Sequence, residues 1–296
     1  GAKPLWNDSW NDSLTQQAHF TDINLNISGG SKTSQYFLSG GYLDNQGAYI
    51  QSGFKRYTLR ANITSDIKKW LSLGVNVSGT HSSQQYPTQE DSQIENIVLF
   101  ARSIPSFYPV YERNLETGAY LYDENGKRIY DYGNYRPTSF AGYNLAGSLP
   151  HDKNDITHDA ATLRSFILAS PLQGLSYKLS LNINYDSQFE HIYQNPLYGY
   201  DALSGGSVTK NNTRTTGVTI NNVVNYNTTF SKDHDLKVMA GQEYYEYDTS
   251  NFGGTRTQVI MDGMYEPDAA SNLSSFGGNS DQYKLLSFFG SAEYSY

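Results

Sequence analysis

His151 and His158 stand seven residues apart, with Asp152, Asp155 and Asp159 close by. Imidazole and carboxylate groups at such spacing could hold a divalent ion. The run lacks the ligand spacing and the glycine of a calcium loop, so it reads as a solvated polar loop. The remaining acids are scattered, and no pair of them can be named as the two carboxylates of a glycosidase. There is no nucleophile elbow, phosphate loop, zinc signature or glycine-rich nucleotide fingerprint. Cysteine is absent, which removes thiolate metal sites and disulfides. The expectation is a chain that is not an enzyme and holds neither metal nor cofactor.

The residues best suited to binding are aromatic. Tyr108, Tyr111, Tyr120, Tyr122, Tyr130 and Tyr132 crowd one stretch, with Tyr135 and Tyr143 after them. Tyrosine offers a flat apolar face and a hydroxyl, which suits stacking on a sugar ring or meeting a protein partner. The same rings could instead pack the stretch upon itself.

The elements that must carry these residues are strands. Leu175, Tyr177, Leu179, Leu181, Ile183 and Tyr185 alternate with polar residues, a period of two that marks a strand with one apolar and one polar face. Tyr57, Leu59, Ala61 and Ile63 repeat the pattern, as do Leu71, Leu73, Val75 and Val77. Further rows follow Ile23–Ile27, Val218–Tyr226, Leu236–Tyr244 and Leu286–Tyr294, with weaker ones over 36–43 and 163–169. Asn222 interrupts the Val218–Tyr226 row and suggests a bulge. This makes about nine strands, mostly near the roughly 9–11 residues that cross a bilayer at a tilt.

The connections between rows alternate between short and long. The long ones are 45–53, 81–159, 188–213 and 248–282. In an up-and-down meander all short turns then share one end and all long loops the other, an asymmetry of outer-membrane barrels. Within 89–104, Ile94, Ile97, Val98 and Ala101 have helical spacing, and Pro105 fits a stop. Asn125-Gly126 marks a hairpin turn in the same long loop.

A net charge of −8 excludes nucleic acid as a partner. Charged residues make up only 17% of the 296, and Ser, Thr, Asn, Gly and Tyr take their place, as suits a wet but weakly charged face. No run of about 18 apolar residues exists, so no transmembrane helix is expected. Barrel strands would escape that test, since alternation hides their hydrophobicity. Gly1-Ala2-Lys3-Pro4 at the start and Tyr294-Ser295-Tyr296, inside a strand-like pattern, suggest a segment of something longer. On barrel geometry Arg56, Arg60, Asn62, Asn76 and Lys178 fall on the parity that would face a lumen. Trp70, Tyr57, Tyr185 and Tyr226 lie where an aromatic girdle would form.

Several ordered motifs resemble a known family. They are Trp10-Asn11-Asp12-Ser13, Leu25-Asn26-Ile27-Ser28-Gly29-Gly30-Ser31, Tyr36-Phe37-Leu38-Ser39-Gly40-Gly41-Tyr42, Ser52-Gly53-Phe54-Lys55-Arg56-Tyr57 and Lys69-Trp70-Leu71-Ser72-Leu73-Gly74. Their order resembles barrel strands of SusC/RagA-like TonB-dependent transporters, most specifically over residues 10–80. The resemblance implies an outer-membrane location, a large plugged barrel and uptake of glycan or peptide nutrients. It also implies a SusD-like surface lipoprotein partner and contact with outer-membrane lipid. TonB coupling is expected only through an N-terminal region outside this chain. The fold expected for 1–296 is therefore all-β, an antiparallel meander forming part of a transmembrane β-barrel, with a short helix in one long loop. The other reading open at this point is a soluble or surface-attached all-β carbohydrate-binding or adhesin-like protein.

Overall fold

Each alternating row becomes one strand of a single antiparallel sheet. In the computed structural model, which describes residues 6–87, 92–133, 136, 140–199, 201–231 and 233–296, nine strands pair strictly in sequence order. They are β1 (His19–Gly30), β2 (Ser34–Gln46), β3 (Gly53–Lys68) and β4 (Leu71–Gln85). After a long interval come β5 (Lys153–Leu172), β6 (Leu175–Gln194), β7 (Ser207–Phe230), β8 (His234–Val259) and β9 (Ala270–Ser295). The first and last strands do not pair with each other, so the sheet is open.

The short connections 31–33, 69–70, 173–174 and 231–233 lie at one end of the sheet. The longer ones, 47–52, 86–152, 195–206 and 260–269, lie at the other. The alternation is as the sequence indicates, but the strands run further. Residues 81–85, 153–159, 188–194, 207–213, 248–259 and 270–282 are strand rather than loop. There both faces of the sheet carry polar residues, so no period of two is visible. Asn222 is not a bulge. It stays in register between Leu179 and Gln242, because Tyr177 donates its hydroxyl to Asn222 Oδ1 (2.7 Å) and Asn222 donates to Gln242 Oε1 (3.2 Å).

Register decides which residues share a face. Ile27, Leu38, Ala61, Val77, Leu163, Ile183 and Val218 are successive cross-strand partners, giving one apolar row over seven strands. The next row toward the short turns holds Tyr36, Ile63, Val75, Leu181, Ile220, Tyr244 and Leu286. Other residues of this face are largely uncovered: Leu25 is 73% exposed, Leu59 68% and Phe288 76%.

The upper limit of this apolar face is slanted. On β3 it reaches Tyr57. Following partners through His81, Asp159, Ser187 and Arg214 leads to Ser250 on β8. On β8, however, the last residue of the continuous apolar stretch is Tyr244, six positions nearer the short turns, with Glu246, Asp248 and Ser250 above it and Phe252 standing alone beyond them. Six residues are about 20 Å along a strand, and five strand spacings are about 24 Å, so the limit crosses the rows at about 40°. A flat boundary produces this slope when the strands tilt by roughly that angle, within the ~35–45° of outer-membrane barrels.

The buried core lies elsewhere. Helix α1 (Trp10–Leu14) packs on α2 (Ile97–Ser103) and α3 (Leu145–Ser148), where Trp10, Leu14, Phe100, Val110, Leu145 and Leu149 form one cluster. Helix α2 starts later than its sequence spacing suggests. Asn96 caps it by accepting from the Val98 and Leu99 amides, leaving Ile94 in the preceding turn. Residues 89–91 of the expected helix lie outside the described residues. Together with 47–52, this assembly forms a cap at the long-loop end of the sheet, held by the Thr15–Tyr49 bridge and the Gln16 amide bonded to the Ala48 carbonyl (2.7 Å).

Gly174 closes the β5–β6 turn at φ +78°, and a Cβ there would meet the Asn227 carbonyl oxygen at 2.1 Å. Gly174→Ala is expected to cost more than about 1 kcal/mol. The cost should appear as an earlier denaturant midpoint in detergent micelles, with exposed Gln173→Ala close to neutral.

Candidate functional site

Three surfaces could meet a ligand or partner: the apolar face, the polar face behind it, and the cap. On the polar face, Arg56 lies opposite Ser82 and Arg60 opposite Ser78. Asn62 faces Asn76, which faces Arg164, which faces Asn182. The register thus joins two expected residues to Arg164, a cation that the sequence reading left unnamed. Lys178 shares this face, its ammonium 5.1 Å from the Phe166 ring centre. The side-chain oxygens of Asn62, Asn182 and Asn221 are shielded and unpaired. Leaving such oxygens dry is costly, so this face is built to meet hydrogen-bonding matter.

The cap tyrosines divide by their surroundings. Tyr108 packs against the cap core, and its carbonyl accepts from Trp10 Nε1 (2.9 Å). Tyr111 stacks on Tyr130 with centroids 4.9 Å apart, while Tyr120 lies between the guanidinium groups of Arg113 (4.0 Å) and Arg128 (4.1 Å). Tyr132 stacks on Tyr198 at 4.4 Å, tying the long loop to 195–206. Tyr122, 56% exposed, is the most open ring of the six. Tyr135 lies outside the described residues. Burial, followed by the bond to Tyr111, pushes the Tyr130 hydroxyl up to about 12. Burial also raises Tyr132, so both remain neutral donors at physiological pH. The turn at Asn125-Gly126 is present, with Gly126 at φ +74° and its amide donating to the Asp123 carbonyl (3.0 Å).

Two polar groups hold the cap together. Arg136 donates to the carbonyls of Tyr143 (2.8 Å), Pro109 (3.0 Å) and Asp131 (2.5 Å), with its guanidinium 5.1 Å from the Trp10 ring centre. Asn144, fully buried, donates to the carbonyls of Val110 (2.8 Å) and Asp131 (2.9 Å). Trp6, Phe107, Tyr108, Arg113, Leu115 and Leu121 enclose a cleft of about 310 Å³ on the cap surface.

His151 and His158 are not brought together. His151 pairs with Asp262 (2.6 Å), joining the long loop to 260–269, and His158 pairs with Asp186 (2.7 Å) on the polar face. Beside His151, Asp152 accepts from the Asn195 amide (2.9 Å) and from its side chain (2.6 Å). Burial raises the Asp152 carboxyl to about 6, against the lowering effect of the Asn195 bonds.

No family model matches the chain. The RagAB peptide importer in its open-open state superposes with TM-score 0.76 at 23% identity, over 98% of this chain and 31% of that one. TonB-dependent receptor P39 of Formosa agariphila is 25% identical over 291 residues, 96% of this chain and 25% of the relative. TonB-dependent receptor SusC of Bacteroides thetaiotaomicron is 31% identical over 81 residues, 27% of this chain and 8% of that protein. The chain is SusC/RagA-like.

This SusC/RagA-like segment spans between a quarter and a third of the first two of these relatives, 25% and 31% of their lengths. All of its nine strands fall within a partial barrel of that fold. Beyond Arg164, sequence reasoning missed the polar residues of β6–β9 in 188–194, 207–213, 248–259 and 270–282, because those stretches carry no apolar alternation.

The raised Asp152 carboxyl gives a pH dependence with a defined sign. The folded group binds its proton more tightly than the unfolded one, so its contribution to stability falls as pH rises from about 4 to about 6. Asp152→Asn removes the desolvated charge. Amide exchange at Asn195 and Leu197 should slow relative to the unaltered chain above pH 6 and match it below about pH 4.

Proposed function

We propose that the chain forms part of the wall and outer cap of an outer-membrane, TonB-dependent transporter for nutrients. The observation that carries this reading is the slanted, uncovered apolar face. An aqueous sheet has no reason to end its apolar residues on a line inclined at about 40° to its own hydrogen-bonded rows. A wall of tilted strands crossing a flat hydrocarbon layer requires it. From Leu175 to Tyr185 on β6 the face extends about 33 Å along the strand, which at a tilt of about 40° is about 25 Å in height, the apolar band of such barrels. Tyr57 and Tyr185 then lie near the outer boundary and Trp70 and Tyr226 near the inner one, as aromatic girdles do.

On this reading the whole of 1–296 is barrel and loops. The polar face carrying Arg56, Arg60, Asn62, Asn76 and Lys178 lines the interior. The strands of β5–β9 rise well beyond the lipid, and the cap lies outside the cell. Nutrient uptake is supported by the likeness to TonB-dependent receptors and to the RagAB peptide importer, and glycan or peptide is the cargo that the family resemblance implies. A SusD-like lipoprotein on the outer side is the partner implied by the likeness to SusC and to the RagAB importer. TonB coupling would be supplied by polypeptide outside this chain. Tyr122, with its open ring, is the cap tyrosine best placed to touch cargo or partner.

The absence of cysteine makes the test direct. In outer membranes, Asn182→Cys should react with a membrane-impermeant maleimide and Leu181→Cys should not. Equal labelling of the two adjacent sites would overturn the assignment. Leu73→Arg or Leu181→Arg should cost roughly 2–4 kcal/mol if these sites face the lipid midplane. Folding titrations of the complete barrel in bilayers measure that cost, and a neutral result at both sites would count against lipid contact.

A further inference from the structure

The short turns close the same end of the sheet but differ in charge. The β1–β2 turn holds Lys32, and the β3–β4 turn holds Lys69 beside Lys68 at the end of β3. The Asp66 amide donates to the Thr33 carbonyl (2.7 Å), which brings these two turns side by side. Among the described residues none of the three ammonium groups has a carboxylate partner. The acid among them, Asp66, accepts from the Ser72 hydroxyl (2.6 Å). Three lysines against one aspartate leave two net positive charges. The β5–β6 connection, Pro171-Leu172-Gln173-Gly174, carries no charge, and Asp233 and Asp235 flank the β7–β8 turn.

The apolar face beside these lysines is graded. Next to them Ile67 and Trp70 are half-exposed. Further along the same strands Ser34 and Ser65 are cross-strand partners with their hydroxyl oxygens 2.7 Å apart. The row after that pairs Tyr36 with Ile63 and Ile63 with Val75, on the parity of the apolar face. From Ser65 to Lys68 is about 10 Å of strand, or roughly 8 Å of height at the tilt above, the scale of one headgroup layer.

From these observations we infer that the adjoining β1–β2 and β3–β4 turns form a binding site for an anionic phospholipid of the inner leaflet, with its phosphate on Lys32, Lys68 and Lys69 and its acyl chains along Tyr36, Ile63 and Val75. The inference rests on the reading of the apolar face as lipid-facing and names the lipid that this part of it selects. Cation, hydroxyl pair and apolar row follow one another in the order of phosphate, ester and acyl chain. Lysine stems are long enough to lie along the apolar surface while the ammonium reaches a phosphate. A zwitterionic headgroup would bring its own ammonium against the three lysines, whereas phosphatidylglycerol brings a phosphate charge alone. The attraction of basic residues beside a membrane for anionic lipid is of this kind. The turns of β5–β8 offer no such described cation, so the preference belongs to one sector of the wall.

The test uses the complete polypeptide that carries this chain, purified from outer membranes and reconstituted in vesicles of equimolar phosphatidylglycerol and phosphatidylethanolamine. A benzoylphenylalanine photoprobe replaces Ile67 or, as the reference, Leu172 in the uncharged β5–β6 connection. After irradiation, mass spectrometry of the labelled peptide counts the adducts of each lipid. The ratio of phosphatidylglycerol to phosphatidylethanolamine adducts should be about tenfold higher at position 67 than at 172. Lys32→Gln, Lys68→Gln and Lys69→Gln together should bring it down to the value at 172, and Lys→Arg at the same three positions should keep it high. Lys55→Gln, at the opposite end of β3, should leave it unchanged. The inference is overturned if the ratios at 67 and 172 are equal, if the three Gln changes leave the ratio at 67 as it was, or if lipid A added to the vesicles displaces phosphatidylglycerol at 67. Each of these, with lipid adducts still formed at both positions, removes the site alone. The absence of lipid adducts at both positions overturns the site together with the reading of the apolar face as lipid-facing.

Discussion

The antiparallel hydrogen-bond ladder is the constraint on which the rest of the structure depends. It pairs nine strands in one register, with irregularities only near the ends of a few. Because side chains alternate with a period of two, a slip of one residue anywhere would exchange the two faces of a strand. Leu181 would then join Asn182's neighbours, and Arg164 would meet the apolar row. The sequence protects the register by repeating the apolar-polar choice on every strand. A hydrogen-bonded wall also needs no packed interior of its own. That explains why the sheet is so exposed while the only sizeable core among the described residues lies in the cap, around Trp10 and Phe100.

The strands were legible where one face is apolar and became illegible where both faces are polar. Leu175–Tyr185 reads as a strand at once, but its continuation through Gln188 and Glu190 does not. The hydrophobic alternation that marks a strand comes from contact with an apolar phase, and it stops where that contact stops. Backbone pairing needs no such contact and continues through β6–β9. The misplaced loop boundaries therefore mark the level at which the apolar band ends. The same reasoning explains Asn222, a polar residue on the apolar parity. Its two hydrogen bonds to Tyr177 and Gln242 hold it in the ladder, and no local pattern in the sequence announces partners 45 and 20 residues away.

The candidate residues were legible to different depths. The polar-face set followed from parity alone, and register then placed Asn62 and Asn76 beside Arg164. The cap tyrosines were identified by crowding, which says nothing of geometry. Tyr111, Tyr120 and Tyr130 turn out to spend their faces on one another and on Arg113 and Arg128, so crowding marked a folded subdomain more than a ligand platform.

The cap is joined to the neighbouring loops through few groups. The long loop is fastened to its neighbours by His151 with Asp262, Asp152 with Asn195, and Tyr132 with Tyr198. These fasteners lie at the long-loop ends of β5, β6 and β8. Asp152 is the weak member, since its burial disfavours the charge that neutral pH imposes on it.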